Sequence, residues 1–221
     1  NKAANAGCTV TLMRAVTGLT AYQEIKNTFT LDLNGKKLSG KINNGSIIYI
    51  NSAGKTLTIK DSKSDGRIEN INNTFTGVAY GVNVTAGSLV LHSGTIYVEN
   101  KGASGRKAVG ILNKANTNVT INGGKVEVYG YNDSYGISQT SNKDNNTTFT
   151  MNAGEITIEG YQYIYGITGN GKVNVNGGTI GATATYTNSR GINLTATSSA
   201  TPADCYYGTL NMTGGTINSN C

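Results

Sequence analysis

A short motif returns along the chain, and its repetition limits the fold more than any single residue does. It reads SLVLHSGTIYV (88–98), NVTINGGKVEV (118–128), TFTMNAGEITI (148–158), KVNVNGGTIGA (172–182) and TLNMTGGTIN (209–218). Looser copies are FTLDLNGKKLSG (29–40) and TLTIKDSKSDGRIEN (56–70), the second with a longer turn. The shared glycine falls at Gly94, Gly124, Gly154, Gly178 and Gly215, at spacings of 30, 30, 24 and 37 residues. A second motif alternates with the first: YGVNV (80–84), VGILN (109–113), YGISQ (135–139), YGITG (165–169) and RGINL (190–194). Self-similarity at such a period marks a chain built from stacked units.

Within each copy, apolar and polar residues alternate, which is the period of a half-buried strand and not of a helix. Val119 and Ile121 point one way while Asn118, Thr120 and Asn122 point the other; Val126 and Val128 turn inward while Glu127 and Tyr129 face solvent. The glycine between two strands supplies the sharp corner. Each period carries three short strand signals, and strands joined by such corners coil. Every strand then pairs in parallel with its equivalent one turn away, around a continuous apolar core. Composition agrees. Thirty Gly, 30 Thr and 29 Asn argue against long helices. Disorder is excluded by 37% hydrophobic residues, 14% charged residues and a single Pro.

These runs, together with NAGCTVTLMRAV (5–16) ahead of them, resemble the right-handed parallel β-helix domains of secreted bacterial surface proteins, whose coil is pectate-lyase-like. The resemblance covers residues 8 to 218. It implies an all-β fold, a right-handed parallel β-helix (β-solenoid) with three short strands per coil and about seven to eight coils. Residues 1–221 are expected to form a single β-solenoid domain, with an irregular first coil at 1–27, regular coils at 28–218 and a C-terminal tail at 219–221. An extracellular or cell-surface setting is implied as well. The motifs specify the coil and say little about function, since such folds host lyases, hydrolases, adhesins and passive stalks.

No stretch approaches the 18 consecutive apolar residues of a membrane-spanning helix. Nucleic-acid binding is not expected, because the basic residues, Lys36, Lys60, Arg67 and Lys107 among them, are scattered over many segments. Their distribution is nonetheless uneven: residues 1–114 hold 14 basic and 6 acidic side chains, net +8, and residues 115–221 hold 4 and 6, net −2. No metal or cofactor site is expected, since His92 is the one histidine and the cysteines lack ligand spacing. The three cysteines, Cys8, Cys205 and Cys221, admit an intrachain Cys205–Cys221 bond with Cys8 free, or bonds from near the chain ends to a neighbouring subunit.

The chain is read as non-enzymatic. Glycoside hydrolysis needs two carboxylates about 5 to 9.5 Å apart, one with a raised pKa. With 12 acids in all, the best candidates are Glu99, Glu127 and Glu159, and the Glu99–Glu159 column is interrupted by Tyr129. Asp32 occupies a structural position in the resembling domains, and Asp61 and Asp65 are read as a solvated turn. A Thr/Asn column (Thr30, Thr58, Thr120, Thr150, Asn174, Asn211), interrupted at Val90, is read as strand propensity and ladder bonding.

Tyrosine outnumbers phenylalanine 13 to 3, and Tyr131, Tyr161 and Tyr163 fall after the second strand of successive repeats. They are the expected face for a ligand such as a surface glycan, or for a partner protein. Tyr135 and Tyr165 are expected to pack at a corner. The strand-like ends, the polar charge distribution and the end cysteines together predict a subunit that polymerises with itself, head to tail, into a surface fibre. A monomeric adhesin or glycan-binding segment is the second expectation, and a polysaccharide lyase or hydrolase the third.

Overall fold

The structure, a computed structural model, describes residues 7–74, 76–101, 104–141, 147–196 and 207–221. Twenty-one strands and no helix are found among them, and no helix there is long and apolar enough to cross a membrane. The strands assemble into three parallel ladders. The first runs through β1 (Thr9–Thr11), β4 (Phe29–Asp32), the later parts of β6 (Gly45–Lys60) and β8 (Gly77–Leu91), β11 (Asn118–Ile121), β14 (Thr148–Met151), β17 (Lys172–Val175) and β20 (Thr209–Met212). The second runs through β2 (Val16–Leu19), β5 (Lys37–Gly40), β7 (Arg67–Ile71), β9 (Thr95–Asn100), β12 (Lys125–Gly130), β15 (Glu155–Gly160), β18 (Thr179–Ala184) and β21 (Thr216–Asn220). The third links β3 (Gln23–Ile25), the earlier parts of β6 and β8, β10 (Arg106–Asn113), β13 (Asn132–Gln139), β16 (Ile164–Gly169) and β19 (Ser189–Leu194). The second ladder is a separate 8-stranded sheet, while β6 and β8 join the other two ladders into a 13-stranded one, nearly closing a β-solenoid-like wall.

β6 and β8 are longer than the short strands expected from the repeats, at 16 and 15 residues. Each carries a glycine in the left-handed region, Gly54 (φ 69°) and Gly87 (φ 96°), and the pairing of the two strands shifts register there, passing from Asn51–Ala86 to Thr56–Ser88. Elsewhere the corners separate the strands.

The register explains the alternation. Leu57, Leu89, Val119, Phe149 and Val173 form one inward column; Ile59, Leu91, Ile121, Met151 and Val175 form a second. Ile68, Ile96, Val126, Ile156 and Ile180 form a third from the facing sheet, and every member of the three is at most 1% exposed. Burying a side chain of this size stabilises the fold by about 1.5–3 kcal/mol. Outward, the Thr/Asn column aligns as expected, running Thr9, Thr30, Thr58, Val90, Thr120, Thr150, Asn174, Asn211.

Two glycines show why the motifs are fixed. Gly124 has φ 76°, and a Cβ there would stand 2.6 Å from the Gly94 carbonyl oxygen of the rung below. Gly136, of the YGI motif, is buried; a Cβ would meet Ile156 Cγ2 at 2.4 Å and the Gly166 carbonyl oxygen at 2.6 Å. The first glycine makes the corner, and the second makes room for the isoleucine of the facing sheet.

Residues 62–65 of the DSKSDG turn are exposed, as expected, while Asp61 is half-buried. Its carboxylate accepts N–H bonds from Gly35 (2.6 Å) and Gly66 (2.7 Å), tying two neighbouring corners together, whereas Asp65 is exposed. Asp32 does similar work, accepting from Asn34 (2.9 Å) and Ser62 (3.0 Å). Asn70, in the core-facing column of β7, uses its whole amide. It accepts from Ile42 N (3.0 Å) and donates to the carbonyls of Ile42 (3.2 Å), Gly45 (3.2 Å) and Tyr80 (2.9 Å).

Candidate recognition face at the tyrosine corner

The chain leaves β12, β15 and β18 at Gly130, Gly160 and Ala184, and the residues that follow turn toward the third ladder. Backbone bonding continues through this corner: Tyr161 N donates to Tyr131 O (3.3 Å), Gln162 N to the same oxygen (2.9 Å), and Tyr186 N to Tyr161 O (3.1 Å). Corresponding side chains are therefore held one rung apart, about 4.8 Å. That spacing suits ring stacking. Tyr131 and Tyr161 have centroids 4.8 Å apart at 29°, and Tyr161 and Tyr186 have centroids 4.9 Å apart at 7°. Four residues further along each rung a second stack forms from Tyr135 and Tyr165 (5.7 Å, 5°), closed by the Arg190 guanidinium 5.7 Å from the Tyr165 centroid. Burial, joined by the charge of Asp133, pushes the Tyr135 phenol up to about 12.

Of the three tyrosines expected to form a ligand face, the structure brings Tyr131 and Tyr161 together and sets Tyr163 apart. Tyr163 has a left-handed backbone (φ 49°), lies 41% exposed, and donates its N–H to Thr187 Oγ1 (3.4 Å). Tyr186, 66% exposed, completes the stack and escaped the sequence reading. A usable signal was present, because Tyr131, Tyr161 and Tyr186 each stand four residues before the residue preceding Gly in the second motif. Tyr161 offers a ligand little free ring face, since Tyr131 and Tyr186 cover its two sides. Tyr163 and Tyr186 are the exposed rings of this corner, while Tyr131 and Tyr161 are half-buried.

The candidate acids Glu99, Glu127 and Glu159 lie on the outward side of the second ladder. Glu99, Tyr129 and Glu159 share one column in that order. Most carboxylates there have a basic partner: Lys37–Glu69 (3.0 Å), Arg67–Glu127 (3.8 Å), Lys101–Glu99 (3.6 Å) and Lys125–Glu155 (2.9 Å). Burial alone would raise Glu99, but hydrogen bonds from Tyr97 (2.6 Å) and Asn73 outweigh it and hold the carboxyl below the usual range. Glu155 is lowered chiefly by its hydrogen bond from Lys125. A general acid needs the opposite shift. Among the described residues no three His, Cys, Asp or Glu side chains gather in a metal-binding group. Cys8 is half-buried and Cys221 exposed, and both are free thiols; Cys205 lies outside the described residues.

Comparison of the chain with protein-family models, with curated proteins and with solved structures finds no match.

Proposed function

We propose that the chain is a non-catalytic structural protein of the bacterial cell exterior, a right-handed β-helix that stacks head to tail into a fibre. In this reading it makes seven to eight coils of three short strands each. One observation carries the proposal: the apolar columns surface at the first and last described rungs. Val10 of β1 is 36% exposed, and Leu210 and Met212 of β20 are 45% and 42% exposed, whereas the column from Leu31 to Val175 that joins Val10 to Met212, and the stretch from Leu57 to Val173 below Leu210, are buried. Beside β1 an apolar hollow of about 740 Å³ opens between Val10, Leu12, Val16, Ile25, Phe29 and Leu31. Exposed strand edges and apolar columns invite pairing, and a contact between unlike faces repeats without closing.

Three further observations support the reading. The outward acids are held largely by neighbouring bases, two of the tyrosine rings by one another, and the charge of +8 on residues 1–114 against −2 on 115–221 steers unlike ends together. The extracellular setting rests on the resemblance of the repeats. Electron microscopy and light scattering of the purified chain over a concentration series test the proposal. Fibres that form more slowly at high salt are expected; monodisperse monomers at every concentration would overturn it.

A second reading, glycan binding by an adhesin, is favoured by Tyr163, whose strained backbone holds an exposed ring at the corner. Saturable binding on a glycan array, lost in Tyr163→Ala, would establish it.

A further inference from the structure

Resting on the head-to-tail reading, we infer the register of the joint: β20 of one copy lies on β1 of the next and β21 on β2, so that Leu210 covers the next copy's Cys8, Met212 its Val10, and Ile217 its Val16. The two outer rungs are opposite ends of the same columns. Met212 pairs with Val175, and the column runs through Met151, Ile121, Leu91, Ile59 and Leu31 to Val10. Ile217 begins another that ends at Val16. Leu210 heads the column that passes through Phe149 and Leu57 to Phe29, under which stands Cys8, whose carbonyl accepts from Thr30 N (2.8 Å). A second copy thus meets, at the joint, the surface that each rung already meets inside the molecule.

Other registers fail on named residues. A slip of one residue would turn Thr9 and Asn211 toward the core and Val10 toward water. A slip of two along β1 keeps the polarity but carries β21 off β2, because the first and second ladders lie on different faces. The inferred register also extends an outward amide ladder. Asn152 donates to Asn122 Oδ1 (2.7 Å), Asn176 to Asn152 Oδ1 (2.8 Å) and Thr213 to Asn176 Oδ1 (3.0 Å). Thr213 then stands over the next copy's Thr11 with its oxygen free to accept. The third ladder adds no contact, since β19 ends one rung lower.

One consequence separates this joint from a covalent one. Ser219 shares a column with Leu19, so Cys221 stands over residue 21 of the next copy, while Cys8 lies at the start of β1 on another face. A Cys8–Cys221 disulfide therefore does not lock the fibre.

Crosslinking tests the register. In a Cys205→Ser, Cys221→Ser background, Leu210→Cys places a thiol over Cys8 at about 4.8 Å between Cα atoms, within disulfide reach. Oxidised glutathione supplies the oxidant: the two protein thiols join and two glutathione thiols leave. Expected is a ladder of covalent dimers, trimers and longer species on non-reducing gels, collapsed by reductant and absent when Cys8→Ser is added. A second pair, Thr11→Cys with Thr213→Cys in a chain lacking all three native cysteines, lies on the exposed outward column and is expected to give the same ladder. Fibres that form without either ladder would overturn the register and leave the head-to-tail reading standing. Absence of fibres at every concentration would overturn both.

Discussion

The ring of Tyr186 lies on that of Tyr161 with centroids 4.9 Å apart and planes 7° from parallel, while the other side of Tyr161 is covered by Tyr131. Tyr161→Ala removes two stacks, each worth about 0.5–1.5 kcal/mol beyond its buried area. Thermal unfolding followed by circular dichroism should show a Tm several degrees lower. Tyr161→Phe keeps both stacks and should leave Tm within about a degree of the parent.

Two glycines with positive φ separate conformational strain from collision. Gly54 (φ 69°) has nothing within 4 Å of a Cβ position, whereas at Gly124 (φ 76°) the Gly94 carbonyl oxygen lies 2.6 Å away. Gly54→Ala should cost about 1 kcal/mol, the strain of a left-handed L-residue. Gly124→Ala should cost at least twice as much, read from urea midpoints at an unchanged m-value.

Asn70→Leu keeps the volume and removes the amide. It removes the bonds of Asn70 to the Ile42 N–H and to the Ile42, Gly45 and Tyr80 carbonyls. Each buried group left unpaired costs about 1–3 kcal/mol, so a loss of at least about 3 kcal/mol is expected. Hydrogen exchange should report it locally, as faster exchange of the Ile42 amide.

Acid should weaken the fold through Asp32. Burial alone would raise this carboxyl, but N–H bonds from Ser62 and Asn34, with Lys60 at 3.5 Å, bring it below its ordinary value. A depressed folded-state pKa gives stability that is present above the unfolded value, about 3.9, and lost as pH falls through the folded one. Tm should hold between about pH 5 and 7 and drop below about pH 4. Asp32→Asn should lower the plateau and shrink that drop; an unchanged profile would count against this role for Asp32.

Alternation and spacing were enough to place whole columns, because a strand that buries one face tolerates no slip. The line from Thr30 through Val90 to Asn211, and the break of the Glu99–Glu159 column at Tyr129, were both legible for this reason. The buried amide of Asn70 was not. It sits where the pattern calls for an apolar residue, and only the fold shows that four backbone groups of three other segments converge on it. The bonds of Asp61 were not legible either, because its partner Gly35 is 26 residues away. Tyr163 was grouped with Tyr131 and Tyr161 by proximity in sequence, and a left-handed residue at that point sends its ring elsewhere.

Gly124 to Gly154 spans 30 residues and Gly154 to Gly178 only 24, yet Lys125 pairs with Glu155 and Glu155 with Thr179 without a shift. Between those glycines the difference in length is taken up outside the second ladder, so the wall does not record how much chain lies between its rungs. Such a molecule can gain or lose residues at its corners, or a whole rung, without rethreading any other part, and its size is free to vary in one dimension only.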